Sequence, residues 1–407
     1  MRKRRWLVAG ALLLAMLAGW LAWRPVAAPA GVPAAPPAAR PASPQSVLAS
    51  PEAAARGASF AGPAMPQASA SLPADGRVEV CGVGRVDAAQ FRAGGATPPA
   101  WAQAMQARID QDRARVLQRL EAGPLVHRVA AALLRRDTQA AALLAAPSGD
   151  VAAYRLALRA CRWDANMRRT AALGHGLKDE PPDSPLYVSP VAPSACASLN
   201  VDRLEALDPG DAWPWLLRLE DGADRRDEAG MAQALYQLSQ RKRLADARRG
   251  LGAAVQEVIG DAPGPGDVFV LLEANGHDAS LAAVSGLLAI SRPCHAKALR
   301  DANRHQLCGQ LARALPAMVS TVSDGAMLHA LESRLGWPPS AKAVSPQEQR
   351  AAFSLALEDL ARIETDMSCA GLAAYGRGQA ARSRQGELAW LRERQGGAHA
   401  PRPAASR

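Results

Sequence analysis

The chain has 407 residues, rich in Ala and Leu with only four Phe and four Tyr, which is the composition of a helical protein. Its formal net charge is +10: residues 1–24 contribute +5, residues 372–407 hold seven Arg and two Glu (7 − 2 = +5), and the middle is close to neutral. No clustered basic face interleaved with stacking aromatics accompanies that charge, and only five of the 48 basic residues are Lys, so nucleic-acid binding is excluded as a working function.

The chain opens with Arg2, Lys3, Arg4 and Arg5, followed by an uncharged run from Trp6 to Trp23, WLVAGALLLAMLAGWLAW. As a helix, residues 6–23 extend about 27 Å, close to a hydrocarbon core. Positive charge resists translocation, so the amino terminus is expected in the cytoplasm and the remainder across the inner membrane, in the periplasm. A cleaved signal peptide, with Ala28-Pro29-Ala30 as its site, is the rival reading. No Cys follows the apolar run, which speaks against a lipoprotein.

Residues 25–75 contain eleven prolines among Ala, Ser and Gly, without apolar periodicity. This is a Pro/Ala-rich disordered linker, a tether reaching roughly 40 Å as a coil and nearer 155 Å as polyproline II. Val78, Val80 and Val83 then alternate around Cys81, as in a turn or edge strand ended by Gly82 and Gly84.

From about residue 98 the apolar period becomes helical. Helices are expected at 99–121, 125–146, 150–162, 196–207, 211–224, 228–240, 244–259, 267–275, 279–291, 302–316, 324–335 and 346–394, the last broken near Ser368. Residues 176–195 read as a polar, Pro-rich loop. Gly149-Asp150, Gly210-Asp211 and Gly266-Asp267 each precede an apolar helix, with Asp as the capping signal. Charged turns are expected at Asp224-Arg225-Arg226-Asp227 and at Asn275-Gly276-His277-Asp278. The resulting fold class is all-α, with stacked antiparallel hairpins over 76–395 and a disordered tail at 396–407.

Six cysteines in an exported chain suggest disulfides, although six permit fifteen pairings. The favoured pairs are Cys161 with Cys196 and Cys294 with Cys308. Fourteen positions of continuous helix would hold the second pair about 21 Å apart, so that bond requires a chain break. Asp301, as the cap of a new helix at Ala302, supplies it.

The stretch 207–240, LDPGDAWPWLLRLEDGADRRDEAGMAQALYQLSQ, resembles a tetratricopeptide-type helix hairpin. Trp213, Leu216 and Asp227-Glu228-Ala229 fall where that family wants them, whereas Leu217, Glu220 and Gln233 depart from its pattern. The resemblance covers 34 residues and implies an antiparallel helix pair with a surface for proteins or peptides.

Catalytic signatures are lacking: there is no Gly-x-Ser-x-Gly, His-Glu-x-x-His, Walker loop or Cys-x-x-Cys. Cys294-His295 with His305 and Cys308 is the best metal-like constellation, and a disulfide beside two surface histidines is its bland reading. His175 and His277 stand isolated. Asp221, Asp224, Asp227 and Glu228 could attract a cation, against the simpler reading of a solvated charged turn. Trp213 and Trp215 flank Pro214; core packing is their ordinary role, and an exposed aromatic pair makes them the candidate partner surface.

The sequence therefore supports, first, a membrane-tethered periplasmic scaffold or assembly factor that binds an envelope protein or peptide, with no catalytic residue, cofactor or metal. The alternatives are an envelope-acting hydrolase without a recognisable motif and a soluble exported protein left by signal cleavage. An apolar concave face favours the first, and a cleft gathering two carboxylates favours the hydrolase.

Overall fold

The computed structural model describes residues 76–87, 100–172, 191–245, 250–261, 263–282 and 287–398. The expected anchor at 6–23, the tether at 25–75, His175 and most of the loop at 176–195 lie outside the described residues. What is described is mostly helical, in keeping with the all-α class. No helix among the described residues is long and apolar enough to cross a membrane.

The described chain begins with a small antiparallel hairpin, β1 (Arg77–Val80) and β2 (Gly84–Asp87). Gly82 and Gly84, with φ of 77° and 96°, make its turn where an L side chain would be strained. Helix α1 (Ala100–Glu121) follows, burying Met105, Val116 and Leu120 on one face.

The single helix expected at 125–146 is two helices, α2 (Leu125–Leu134) and α3 (Thr138–Ala145). Arg136 adopts φ 62°, and the Asp137 carboxylate then accepts the Ala140 amide at 2.8 Å, so one residue ends a helix and the next caps another. Helix α4 (Val151–Ala172) starts on Asp150, whose carboxylate takes the Ala153 amide at 3.0 Å. It runs ten residues beyond the expected end at 162, because Arg162, Asp164 and Arg168 find partners instead of solvent.

A 3₁₀ turn (Ser194–Ser198) leads to α5 (Val201–Leu207), capped by Asn200. Helices α6 (Trp213–Arg225) and α7 (Glu228–Ser239) pack against each other across a turn at Arg226, φ 57°, with Asp227 capping α7. Helix α8 (Leu251–Ile259) starts seven residues later than the expected 244, because Arg243 forms an isolated bridge with Asp211 and the Ala245 amide bonds the Asp211 carboxylate.

Two helices expected at 267–275 and 279–291 are one, α9 (Pro265–Ala282), followed by a 3₁₀ turn (Leu287–Ser291). The expected turn at 275–278 is helical, since Asp278 caps a different helix: its oxygens accept the Leu251 and Gly252 amides of α8 at 3.1 and 2.6 Å. Asp267 likewise is not the cap but the third residue of α9, reaching back to the Gly264 amide at 2.9 Å.

Helices α10 (Ala302–Ala314) and α11 (Val322–Arg334) are capped by Asp301 and Thr321. The chain ends in α12 (Pro346–Thr365), α13 (Cys369–Gln385) and α14 (Glu387–Ala398), divided at Asp366–Ser368 and at Gly386, φ 84°. A capping box of Ser345 and Glu348 opens α12.

One large core cluster runs from Val116 of α1 through α2–α11 to Leu388 of α14, with Trp213 and Tyr154 among its largest fully buried side chains. Two small clusters stand beside it, Val80, Val86, Met105 and Met367 in one, Cys81, Val268 and Leu372 in the other. Arginines tie helices together: Arg155 of α4 binds Asp208 and Asp211, and Arg162 binds Glu220 and Asp221 of α6.

Candidate functional site

Three disulfides use all six cysteines. Cys161 pairs with Cys196, Cys294 with Cys308 and Cys81 with Cys369, at Cα separations of 5.6, 5.9 and 4.6 Å. With both thiols committed to a bond, Cys294 and Cys308 leave His295 and His305 without a metal partner. The His295 Nδ1 bonds the Arg292 carbonyl at 2.6 Å, and no cluster of three metal-ligating side chains occurs among the described residues.

The sequence candidates do not converge on a site. Trp213, for which core packing is the ordinary expectation and a partner surface the alternative, is fully buried in the main core. Trp215 is half-buried, with the Arg218 and Arg241 guanidinium carbons 4.1 and 5.9 Å from its ring centroid. The acidic turn is answered by arginines: Arg162 on Asp221 at 2.7 Å, Arg292 on Asp224 at 2.9 Å and Arg304 on Glu228 at 2.5 Å. Asp227 is occupied as a cap. His277 packs within α9, its pKa lowered by burial and by Arg136 and Arg113, against the opposing pull of Glu273.

A cleft of about 260 Å³ lies instead among α12, α13 and α14. Asp359, Arg362 and Ile363 stand three and four residues apart on one stripe of α12, and Asp366, the residue that ends the helix, follows below them. Facing them on α13 are Ala374, Tyr375 and Gln379, and α14 adds Trp390 and Arg394 one turn apart. Gly371 is required at one end, since a side chain there would overlap Asp366.

The cleft is held by charge. Arg394 binds both Asp359 oxygens, at 2.9 and 3.2 Å, and Arg362 approaches the same carboxylate at 3.6 Å. Arg394 also lies 4.8 Å from the Trp390 ring centroid, with Arg382 at 5.8 Å. Burial pushes the Tyr375 phenol up to about 12, and Gln379 is its hydrogen-bond partner. The cleft thus offers an apolar wall (Ile363, Ala374), two aromatic rings and ordered guanidinium and carboxylate groups. Tyr, Trp and Arg are the residue types that dominate binding energy at protein interfaces.

Sequence reasoning missed this cleft by reading 346–394 as one long broken helix. The usable signal was the 359–362–363–366 spacing opposite a Gly- and Ala-rich stretch. Comparison with protein-family models, with curated proteins and with solved structures found no match to this chain.

Proposed function

We propose that this chain is an exported, membrane-tethered helical protein that binds an envelope protein or peptide in the α12–α14 cleft. The observation that carries binding is the composition of the cleft: Trp390, Tyr375, Arg362 and Arg394 gathered around Ile363. Export is supported by the three disulfides, which persist in oxidising compartments. This reading includes an inner-membrane anchor at 6–23, a tether at 25–75 and a helical body on the periplasmic side, and the basic flank before the uncharged run in the sequence supports it. The packed pair α6–α7 is read as a degenerate tetratricopeptide-like hairpin.

A second reading rests on Asp359 and Asp366 lining one cleft, the pattern of an envelope-acting hydrolase. It is weaker because Arg394 engages both oxygens of Asp359, whereas a general acid needs a carboxyl kept neutral by apolar surroundings.

Affinity capture with the full chain, solubilised from membranes, tests the choice. The binding reading expects a specific envelope protein that is retained by the wild type and lost with Trp390→Ala. Recovery of nothing, together with turnover of cell-wall polymer or peptide that Asp359→Asn abolishes, would establish the hydrolase instead.

A further inference from the structure

We propose that Cys81–Cys369 is an exchangeable cystine, opened by an exported dithiol reductant, that latches the mouth of the cleft. The effect on the cleft rests on the binding reading above, whereas the exchange chemistry stands without it.

The three disulfides sit in different surroundings. Cys294 and Cys308 are both 0 % exposed within the main core, and Cys161 belongs to the same core with Cys196 packed on it. A reductant reaches Cys294–Cys308 only after that core opens, and reaches Cys161–Cys196 only past the half-buried Cys196 and its buried partner. Cys369, by contrast, is solvent-exposed, and its partner Cys81 belongs to a small cluster with Val268 and Leu372. Local opening there disturbs few apolar contacts.

The bond joins the β1–β2 hairpin to the first residue of α13. Besides the bond, the hairpin is held at this point by a Val80–Met367 bridge and by the Cys81 amide donating to the Met367 carbonyl at 2.8 Å. Met367 lies in the α12–α13 connection, between Asp366 and Gly371 at one end of the cleft. Opening the cystine therefore loosens the segment at the cleft mouth, leaving it to one backbone bridge, one hydrogen bond and the Val80–Met367 packing.

The chemistry closes on its own atoms. A thiolate of the reductant attacks the Sγ of Cys369, the exposed residue of the pair, the S–S bond breaks, and Cys81 leaves as a thiolate that takes a proton from water. The reductant's second thiol, as a thiolate, then attacks the mixed disulfide. Cys369 leaves, and the reductant carries away its own disulfide, two electrons having passed to the cystine. The departing Cys369 thiolate lies in the first turn of α13, where the helix amino terminus favours negative charge.

Stepwise reduction of the native full chain with a small dithiol, followed by differential alkylation and mass spectrometry, tests this. The expected result is labelling of Cys81 and Cys369 at least about tenfold faster than of the other four cysteines. Amide exchange of the hairpin and of residues 366–375 should rise in the same sample. Labelling of Cys294 and Cys308 first, labelling of all six together, or unchanged exchange in the hairpin after reduction would overturn the proposal. A Cys81→Ala/Cys369→Ala variant, measured for exchange in the same segments, should reproduce the reduced protein; tight protection there would also overturn it. These readouts need no partner, so a failure to capture one overturns the binding reading alone.

Discussion

Replacing Asp211 separates charge from hydrogen bonding at the most tightly enclosed carboxylate among the described residues. Asp211 is 0 % exposed. Its Oδ1 accepts two backbone amides, Ala245 at 2.9 Å and Trp213 at 3.3 Å, while its Oδ2 takes Arg155 at 2.8 Å. Asp211→Asn keeps an oxygen for the two amides but turns an NH₂ toward the guanidinium. Breaking a buried pair costs about 3–5 kcal/mol, and Asp208, which still holds Arg155 at 3.0 Å, places this one near 3. Asp211→Ala also strands two amides, Trp213 buried and Ala245 partly so, at about 1 kcal/mol each, for a total near 5. Asp202→Asn, at an 87 % exposed partner of Arg218, serves as the surface control at about 0–1 kcal/mol. Guanidinium unfolding followed by circular dichroism, with equal slopes for all variants, reads the series. Equal losses for Asp211→Asn and Asp211→Ala, or a loss for either no larger than the control, would refute the account of this junction.

Other outcomes follow from the same structure. The His277 pKa is lowered mainly by burial, so its contribution is complete above the ordinary histidine range and is lost as pH falls toward the folded value. His277→Gln should flatten the decline in stability on acidification below about pH 6.5, a slope of at most about 1.4 kcal/mol per pH unit, read by unfolding at several pH values. For Glu348, burial pushes the carboxyl up, but the Ser345 amide and hydroxyl and Arg392 outweigh it and hold it low. Ser345→Ala should therefore cost about 1 kcal/mol at neutral pH and less once Glu348 is protonated in acid, as measured by thermal unfolding. Gly266→Ala should destabilise by about 1–3 kcal/mol in guanidinium unfolding, because the added carbon would overlap Asp112 where α9 meets α1. Trp390→Ala should cost about 1 kcal/mol in guanidinium unfolding, for the lost ring contacts with Arg394 and Arg382, while weakening partner capture by about tenfold or more, as a truncated anchor does.

Much of the helical order was legible because caps are local. Asp150, Asp227 and Asp301 each accept an amide three residues on, a relation written within one turn of sequence. Asp278 misled for the same reason: it caps α8 from 26 residues away, so its local setting resembled a turn while its partner lay on another helix. The break at Arg136 was hidden because arginine seldom takes a positive φ. Trp213 showed the limit of reading aromatics, since only packing decides whether a ring beside Pro214 faces a partner or the core. The cleft was still less visible, because it exists only where three helices meet, and Cys81 meets Cys369 across 288 residues.

The central claim is recognition of an envelope partner in the α12–α14 cleft. Site-specific photo-crosslinking in intact cells tests it most directly, with the reactive group placed at Ala374, exposed on the cleft wall, and at Leu143, 60 % exposed on α3. The account predicts one discrete crosslinked envelope protein from position 374, absent from position 143 and lost when Trp390→Ala is added. No product at 374, or the same products from both positions, would contradict it.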